Sequence, residues 1–233
     1  MRNKQSLRSD KLKNLNFEED YFEGYYKGIA DFTQKRDSEL SNWFRGMLEY
    51  INGKYSIKKG KGKKLIEFGC ATGAASSVLR NFGWDVTATD VSKYAVKKAQ
   101  KNFRNIKFLV HDMEKPFQKD KFDLAVAFDV IEHLPHPEIG IKNVYNLLKK
   151  GGSAIFTTPN DYPHVSNDPT HISVKKPHEW VRILRKAGFK NIFVKQVALT
   201  PYFYRLNWRL AFVFPFAVNF KYIISPVIII ARK

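Results

Sequence analysis

The chain has 233 residues, 44% of them hydrophobic, which is enough for one well-buried core and too short for a second large domain. Forty lysines and arginines against twenty-two aspartates and glutamates leave a net charge of +18, which favours phosphates, anionic headgroups or acidic metabolites without choosing among them. The lone cysteine, Cys70, excludes an internal disulfide framework and a thiolate metal cluster, and it fits a reducing cytosol.

The lysines recur along the whole chain, in 58–64, 93–101, 142–150 and 175–195, so a generally basic solvated surface accounts for the charge without a dense nucleic-acid arm. Residues 1–15 are basic and polar and lack the apolar core of a secretion signal, so a cytoplasmic location is expected. Residues 17–30 and 38–51 carry apolar side chains at helical intervals, with Trp43, Phe44, Met47, Leu48 and Ile51 in the second segment. Residues 1–60 are therefore read as an N-terminal helical extension or cap, and 61–233 as the main domain. The Lys/Gly run 58–64 reads as a solvated loop before the first core strand.

From Leu65 the pattern alternates. Short apolar runs at 65–68, 85–89, 106–110, 122–128 and 153–157 predict strands buried on both faces, and 74–81, 93–102 and 138–149 predict helices between them. Such alternation gives a mostly parallel sheet with helices on both sides, an α/β three-layer sandwich whose ligands bind beyond the carboxyl ends of the strands. In the last third a helix at 180–187 closes on Gly188, and 192–199 and 222–231 predict strands that pair antiparallel. Between those strands, residues 201–220 are loaded with Tyr202, Phe203, Tyr204, Trp208, Phe212, Phe214, Phe216 and Phe220, mixed with Arg205 and Arg209. This insertion either packs on the core or forms an amphipathic lid touching a membrane or a hydrophobic ligand. The apolar stretch 210–231 is interrupted by Pro215, Asn219, Lys221 and Pro226, so no membrane span is expected.

Polar residues collect at the predicted strand ends. Glu67 stands at the end of the first strand, ahead of a small-residue turn, Gly69-Cys70-Ala71-Thr72-Gly73, that leads into a helix. Glycines there allow close approach, and the helix start offers unpaired N–H donors. Asp90 ends the second strand, where a carboxylate can accept hydrogen bonds from both hydroxyls of a ribose. Asp112 follows the third strand, placed to read an adenine amino group while Met113 packs on the base. Taken singly, each aspartate also fits a turn or helix cap.

The segment Glu67-Phe68-Gly69-Cys70-Ala71-Thr72-Gly73 resembles motif I of the class I S-adenosylmethionine-dependent methyltransferases. The likeness continues through Asp90, Asp112 and Phe122-Asp123-Leu124-Ala125-Val126-Ala127-Phe128-Asp129-Val130-Ile131-Glu132-His133-Leu134, and on through Leu148-Lys149-Lys150-Gly151-Gly152 and Leu184-Arg185-Lys186-Ala187-Gly188-Phe189. Ala71 departs from it, standing where the pattern usually has its middle glycine. The resemblance implies a Rossmann-like fold with a seven-stranded, mostly parallel sheet whose last strand is antiparallel. It also implies an S-adenosylmethionine site, with S-adenosylhomocysteine as product, built from Glu67, Gly69, Cys70, Ala71, Gly73, Asp90, Val91, Asp112, Met113, Asp129 and Val130. A dehydrogenase is disfavoured because the turn lacks the Gly-x-Gly-x-x-Gly spacing a pyrophosphate needs.

An oxygen or nitrogen acceptor can require a base. His171, in the loop after the fifth strand, is the first candidate because imidazole titrates near neutrality, and His133 the second. No metal ligands are assigned. Cys70, held inside the cofactor turn, has no access to a substrate. The Asn-Pro-Pro-Tyr signature of amino-methylating nucleic-acid enzymes is absent after the fourth strand, which favours a small-molecule, lipid or glycan acceptor, with peripheral membrane contact through 201–220. An RNA methyltransferase, motivated by the charge, is the second enzyme reading, and a non-catalytic cofactor-binding or membrane-associated protein is the third.

Overall fold

A computed structural model describes residues 17, 19, 21–22, 34–117, 121–162, 165, 168, 170–199, 205–219 and 225–233. The helix expected at 38–51 is α1 (Gln34–Asn52). The five strands expected next appear in order as β1 (Lys64–Phe68), β2 (Asp85–Asp90), β3 (Lys107–Val110), β4 (Phe122–Phe128) and β5 (Leu148–Pro159). Between them run α2 (Ala74–Asn81), α3 (Lys93–Asn102) and α4 (Pro137–Leu147). Most of the helix read at 17–30, together with residues 1–16, lies outside the described residues.

Helix ends follow local chemistry. The Ser92 hydroxyl accepts the amide of Ala95 at 3.0 Å at the start of α3. α5 (Pro177–Ala187) opens with proline in its first turn and ends on Gly188 at φ 110°, where a side chain would also run into the Tyr145 ring.

β1 pairs parallel with β2 and β4, β2 with β3, and β4 with β5. The strand read at 192–199 is two strands, β6 (Lys190–Gln196) and β7 (Ala198–Leu199), and the one read at 222–231 is β9 (Pro226–Arg232), with 221–224 outside the described residues. β9 enters antiparallel between β5 and β6, so the sheet runs β3-β2-β1-β4-β5-β9-β6. Its Val227–Ala231 run is buried throughout, as a central strand requires. The break at Val197 has a cause: the Ser225 hydroxyl donates to the Val197 carbonyl at 2.8 Å, while Asn160 binds both Ser225 and Gln196. β7 thus leaves the main sheet and pairs with β8 (Val213–Phe214), a small second sheet that the sequence reading did not anticipate.

Alternate strand residues go to opposite faces. Leu65, Leu124 and Ile155 pack with Met47, Leu48, Val78, Leu79 and Trp84, so α1, α2 and α3 make one outer layer. Ile66, Ala125 and Phe156 pack with Val144, Trp180 and Leu184, so α4 and α5 make the other. α1 shares its core with the sheet, and Leu48 is wholly buried there. Leu48→Ala should therefore lower unfolding free energy by roughly 2–5 kcal/mol. Urea unfolding measures this, and a loss under about 0.5 kcal/mol would place α1 outside the cooperative core.

Candidate active site

Parallel register brings β1, β2 and β4 to an end at one level: Phe68 lies opposite Thr89 and Ala127, and Asp90 lies opposite Val110. The residues that follow these strands therefore meet along one edge of the sheet. Gly69, at φ +69°, turns beneath Val130, and a Cβ placed there would stand 2.3 Å from Val130 Cγ2. Gly73, at φ +90°, leaves similarly little room against Phe103 and Phe108. Ala71 adopts φ 45°, a left-handed conformation that costs an alanine about 1–2 kcal/mol and a glycine almost nothing. The Ala71 amide donates to Asp90 Oδ2 at 2.9 Å and the Ser92 amide to Oδ1 at 3.0 Å, so the β2 carboxylate braces the β1 turn.

The other expected cofactor residues divide into rim and interior. Val91 is exposed beside Asp90. Asp112 is half-buried, with Oδ1 accepting the Glu114 amide at 2.9 Å. Asp129 lies at φ 53°, its amide donating to Thr157 and its Oδ1 accepting the Thr157 hydroxyl at 2.9 Å. Asp129 is exposed as a residue, yet desolvation by the surrounding protein raises its carboxyl above the ordinary value, opposed by the Thr157 hydrogen bond and by His171. Glu67, Cys70 and Met113 are interior, and Met113 packs against Gly140 and Leu134 in the core beneath α4. Burial and the neighbouring Asp90 and Glu67 charges hold the Cys70 thiol far above its usual range, so it is no nucleophile. Phe17, Tyr21 and Phe22 cluster with Ala71, Tyr94 and Ala95, which places an aromatic group over the turn.

Beyond the tips of β4 and β5 the two expected histidines come together, with ring centroids 4.8 Å apart. His133 Nδ1 lies 3.1 Å from the Thr170 carbonyl, and His171 Nδ1 lies 3.1 Å from the Val165 carbonyl. Each imidazole must donate from Nδ1, so when neutral each keeps a lone pair on Nε2. His133 Nε2 is 3.9 Å from Glu132 Oε1, and His171 Nε2 is 3.6 Å from Asp168 Oδ2. The sequence reading did not assign Glu132 or Asp168. The adjacent Glu132-His133 pair and the i, i+3 spacing of Asp168 to His171 were the available signals. His164, read as a loop residue, lies outside the described residues.

Charges in this cluster are set by burial. It lowers the His133 pKa to about 4, aided by His171 and opposed by the Thr170 carbonyl and Asp168, so the ring is neutral near pH 7. Glu132 is wholly buried, and neither carboxylate oxygen has a hydrogen-bond partner among the described residues. Burial raises its carboxyl well above the usual range and Asp129 raises it further, against its own amide and the nearby Thr158 hydroxyl. That hydroxyl itself forms no well-shaped bond. For Asp168 burial pulls upward, but the Thr170 hydroxyl and amide and the two imidazoles outweigh it and lower the carboxyl.

Stacked strand tips, a glycine turn with no room for side chains and a braced carboxylate one strand over define a Rossmann-like nucleoside-cofactor enzyme. A family model described as a methyltransferase domain matches residues 49–194. The chain is 30% identical over 199 residues to malonyl-[acyl-carrier protein] O-methyltransferase of Paenibacillus sp. (strain JDR-2), covering 74% of this chain and 69% of that protein. It is 34% identical over 119 residues to ubiquinone biosynthesis O-methyltransferase of Coxiella burnetii, spanning 48% of this chain and about half, 49%, of that relative. In fold it is similar to magnesium protoporphyrin IX methyltransferase of Synechocystis PCC 6803 with bound S-adenosylhomocysteine, with a TM-score of 0.61, 18% identity and coverage of 99% and 100% of the two chains. The chain belongs to the class I S-adenosylmethionine-dependent methyltransferases, and S-adenosylmethionine is its methyl donor.

Two measurements test this site. Gly69→Ala, which drives a methyl into Val130, should weaken S-adenosylmethionine binding at least about ten-fold in calorimetry, a loss of ~1.4 kcal/mol. An unchanged affinity would mean that the cofactor does not lie on this turn. Burial raises the Glu67 carboxyl from the usual 4.5 to about 8, opposed by its hydrogen bond from Ser76 and aided by Asp90. The folded chain then keeps a proton that the unfolded chain releases, so stability falls as pH rises between those two values. Glu67→Gln should flatten that decline in thermal melts of cofactor-free protein, and an unaltered pH profile would refute the assignment.

Proposed function

We propose that the enzyme methylates an oxygen of a hydrophobic small-molecule or lipid-like acceptor, which loses its proton at the Glu132, His133, Asp168 and His171 cluster. The single observation that carries this reading is the pair of imidazoles whose Nε2 atoms face carboxylates just beyond the β4 tip, beside Asp129. An O–H acceptor is a poor nucleophile until deprotonated, and such a cluster is suited to remove that proton. The cofactor supplies a methyl carbon already activated by positive sulfur. The protein's share is orientation and proton removal, with the acceptor lone pair forming the O–C bond as the C–S bond breaks and its electrons return to sulfur. The similar proteins named as O-methyltransferases support an oxygen acceptor.

Hydrophobic character is supported by the described part of the aromatic insertion. Leu206, Phe212, Phe214 and Phe216 are exposed, while Trp208 is half-buried under the Arg45 guanidinium, 4.5 Å from its ring. This segment packs along α1, whose Phe44 ring lies 5.7 Å from Phe128, the residue before Asp129. An apolar surface thus reaches from solvent toward the acceptor side, suited to collecting a greasy substrate or resting on a bilayer. Tyr202, Phe203, Tyr204 and Phe220 lie outside the described residues. No helix among the described residues is long and apolar enough to cross a membrane.

Transfer of tritiated methyl groups to fractionated lipids, phenols, carboxylic acids, glycans and RNA tests the proposal. Label is expected in an apolar hydroxyl compound, and His171→Ala should cut turnover about 100-fold or more while leaving cofactor affinity unchanged. Exclusive labelling of RNA or of amines, or equal losses of turnover and affinity, would overturn it.

A further inference from the structure

The histidine–carboxylate cluster has the makings of a metal site. One donor atom each from Glu132, His133 and His171 lies within 4.8 Å of the other two. Bonds of ~2.0–2.2 Å to a common ion would place such atoms roughly 3–4 Å apart, so closure needs a movement on the order of 1 Å. Both imidazoles give their Nδ1 proton to a backbone carbonyl and leave Nε2 facing a carboxylate, Glu132 for His133 and Asp168 for His171, the kind of arrangement that outer-shell partners impose on metal-bound histidines. Asp168 Oδ2 lies 3.6 Å from His171 Nε2, while its Oδ1 is held by the Thr170 amide at 2.8 Å and the Thr170 hydroxyl at 2.6 Å.

The independent sign is Glu132. It is 0% exposed, and neither of its oxygens meets a hydrogen-bond donor among the described residues. A buried carboxyl group with no hydrogen-bond partner is costly whether neutral or ionised, and a cation bound to the ionised form would offset that cost. The backbone that carries it is fixed, with the Ser173 amide donating to the Glu132 carbonyl at 2.8 Å and the Ser173 hydroxyl to the Leu134 carbonyl at 2.7 Å. These bonds tie the turn after β4 to the loop carrying His171.

We propose that Glu132, His133 and His171, with Asp168 beside them, bind one divalent transition-metal ion next to the acceptor side of the methyl donor. Two imidazoles with one or two carboxylates suit manganese, iron, cobalt or zinc and leave open positions for a substrate oxygen. A cation there would lower the pKa of an acceptor hydroxyl and fix its direction. His171 and His133 then act as ligands and not as proton acceptors, and the proton released by the bound acceptor hydroxyl passes to water. This second role, though not the ion binding itself, rests on the oxygen-acceptor reading above.

Chelator-treated full-length protein should be dialysed against Mn2+ and, separately, Zn2+, with bound metal counted by elemental analysis and free Mn2+ by electron paramagnetic resonance. S-adenosylmethionine binding should be followed in parallel by calorimetry. One ion per chain is expected. Glu132→Gln, which keeps the shape and removes the charge, and His171→Ala should each weaken it at least about ten-fold, whereas His178→Ala, on an exposed turn of α5, should not. Failure to bind either ion at about 1 mM while the cofactor still binds would overturn the metal site, as would binding indifferent to both substitutions. Metal binding with no cofactor binding would leave the site standing and remove the methyltransferase role. Metal and cofactor binding with only amine or RNA methylation would remove the oxygen-acceptor reading alone.

Discussion

Everything chemical in this molecule depends on the parallel register that ends β1, β2 and β4 at one level. Parallel strands carry their connections as helices on the faces, so three consecutive strand ends can open onto the same edge without a crossing chain. Asp90 can then accept the Ala71 amide across one strand spacing, and Val130 can fill the space that Gly69 leaves bare. Neither contact has any local cause in the sequence, because residues 19 and 61 positions apart meet only when the strands align.

Two buried glutamates show how the same fold treats one functional group in opposite ways. Glu67 ends β1 and accepts a hydrogen bond from Ser76 of α2, which gives its carboxyl a fixed place under the cofactor turn. Glu132 follows β4 and finds no such donor among the described residues. A protein interior tolerates a bare carboxyl only at a cost of several kcal/mol, so the two buried acids stand in very different environments. Asp129, three residues before Glu132, also holds a left-handed backbone conformation, which is strained for a non-glycine residue.

Much of this was legible beforehand. The alternation of apolar runs from Leu65 to Thr157 located the five parallel strands and the helices between them, because strands buried on both faces must be apolar at every position. Gly69, Gly73, Asp90 and Asp129 lie at the strand ends where those runs placed them. The burial of Met113 was not legible: its adjacency to Asp112 gave no sign that its side chain packs against Gly140 and Leu134. The break of the 192–199 run into β6 and β7 was equally hidden, since it depends on Ser225 and Asn160 reaching in from distant segments.

Periodicity and short motifs, then, determined the α/β architecture, the sheet's parallel half and the cofactor turn, because these follow from local burial and from backbone freedom at glycine. Only the tertiary structure decided that β9 inserts between β5 and β6, that α1 shares the sheet's core, and that His133, His171, Glu132 and Asp168 converge. Convergence of that kind depends on two loops folded back over the β4 and β5 tips, and no spacing along a chain encodes the direction in which a loop returns.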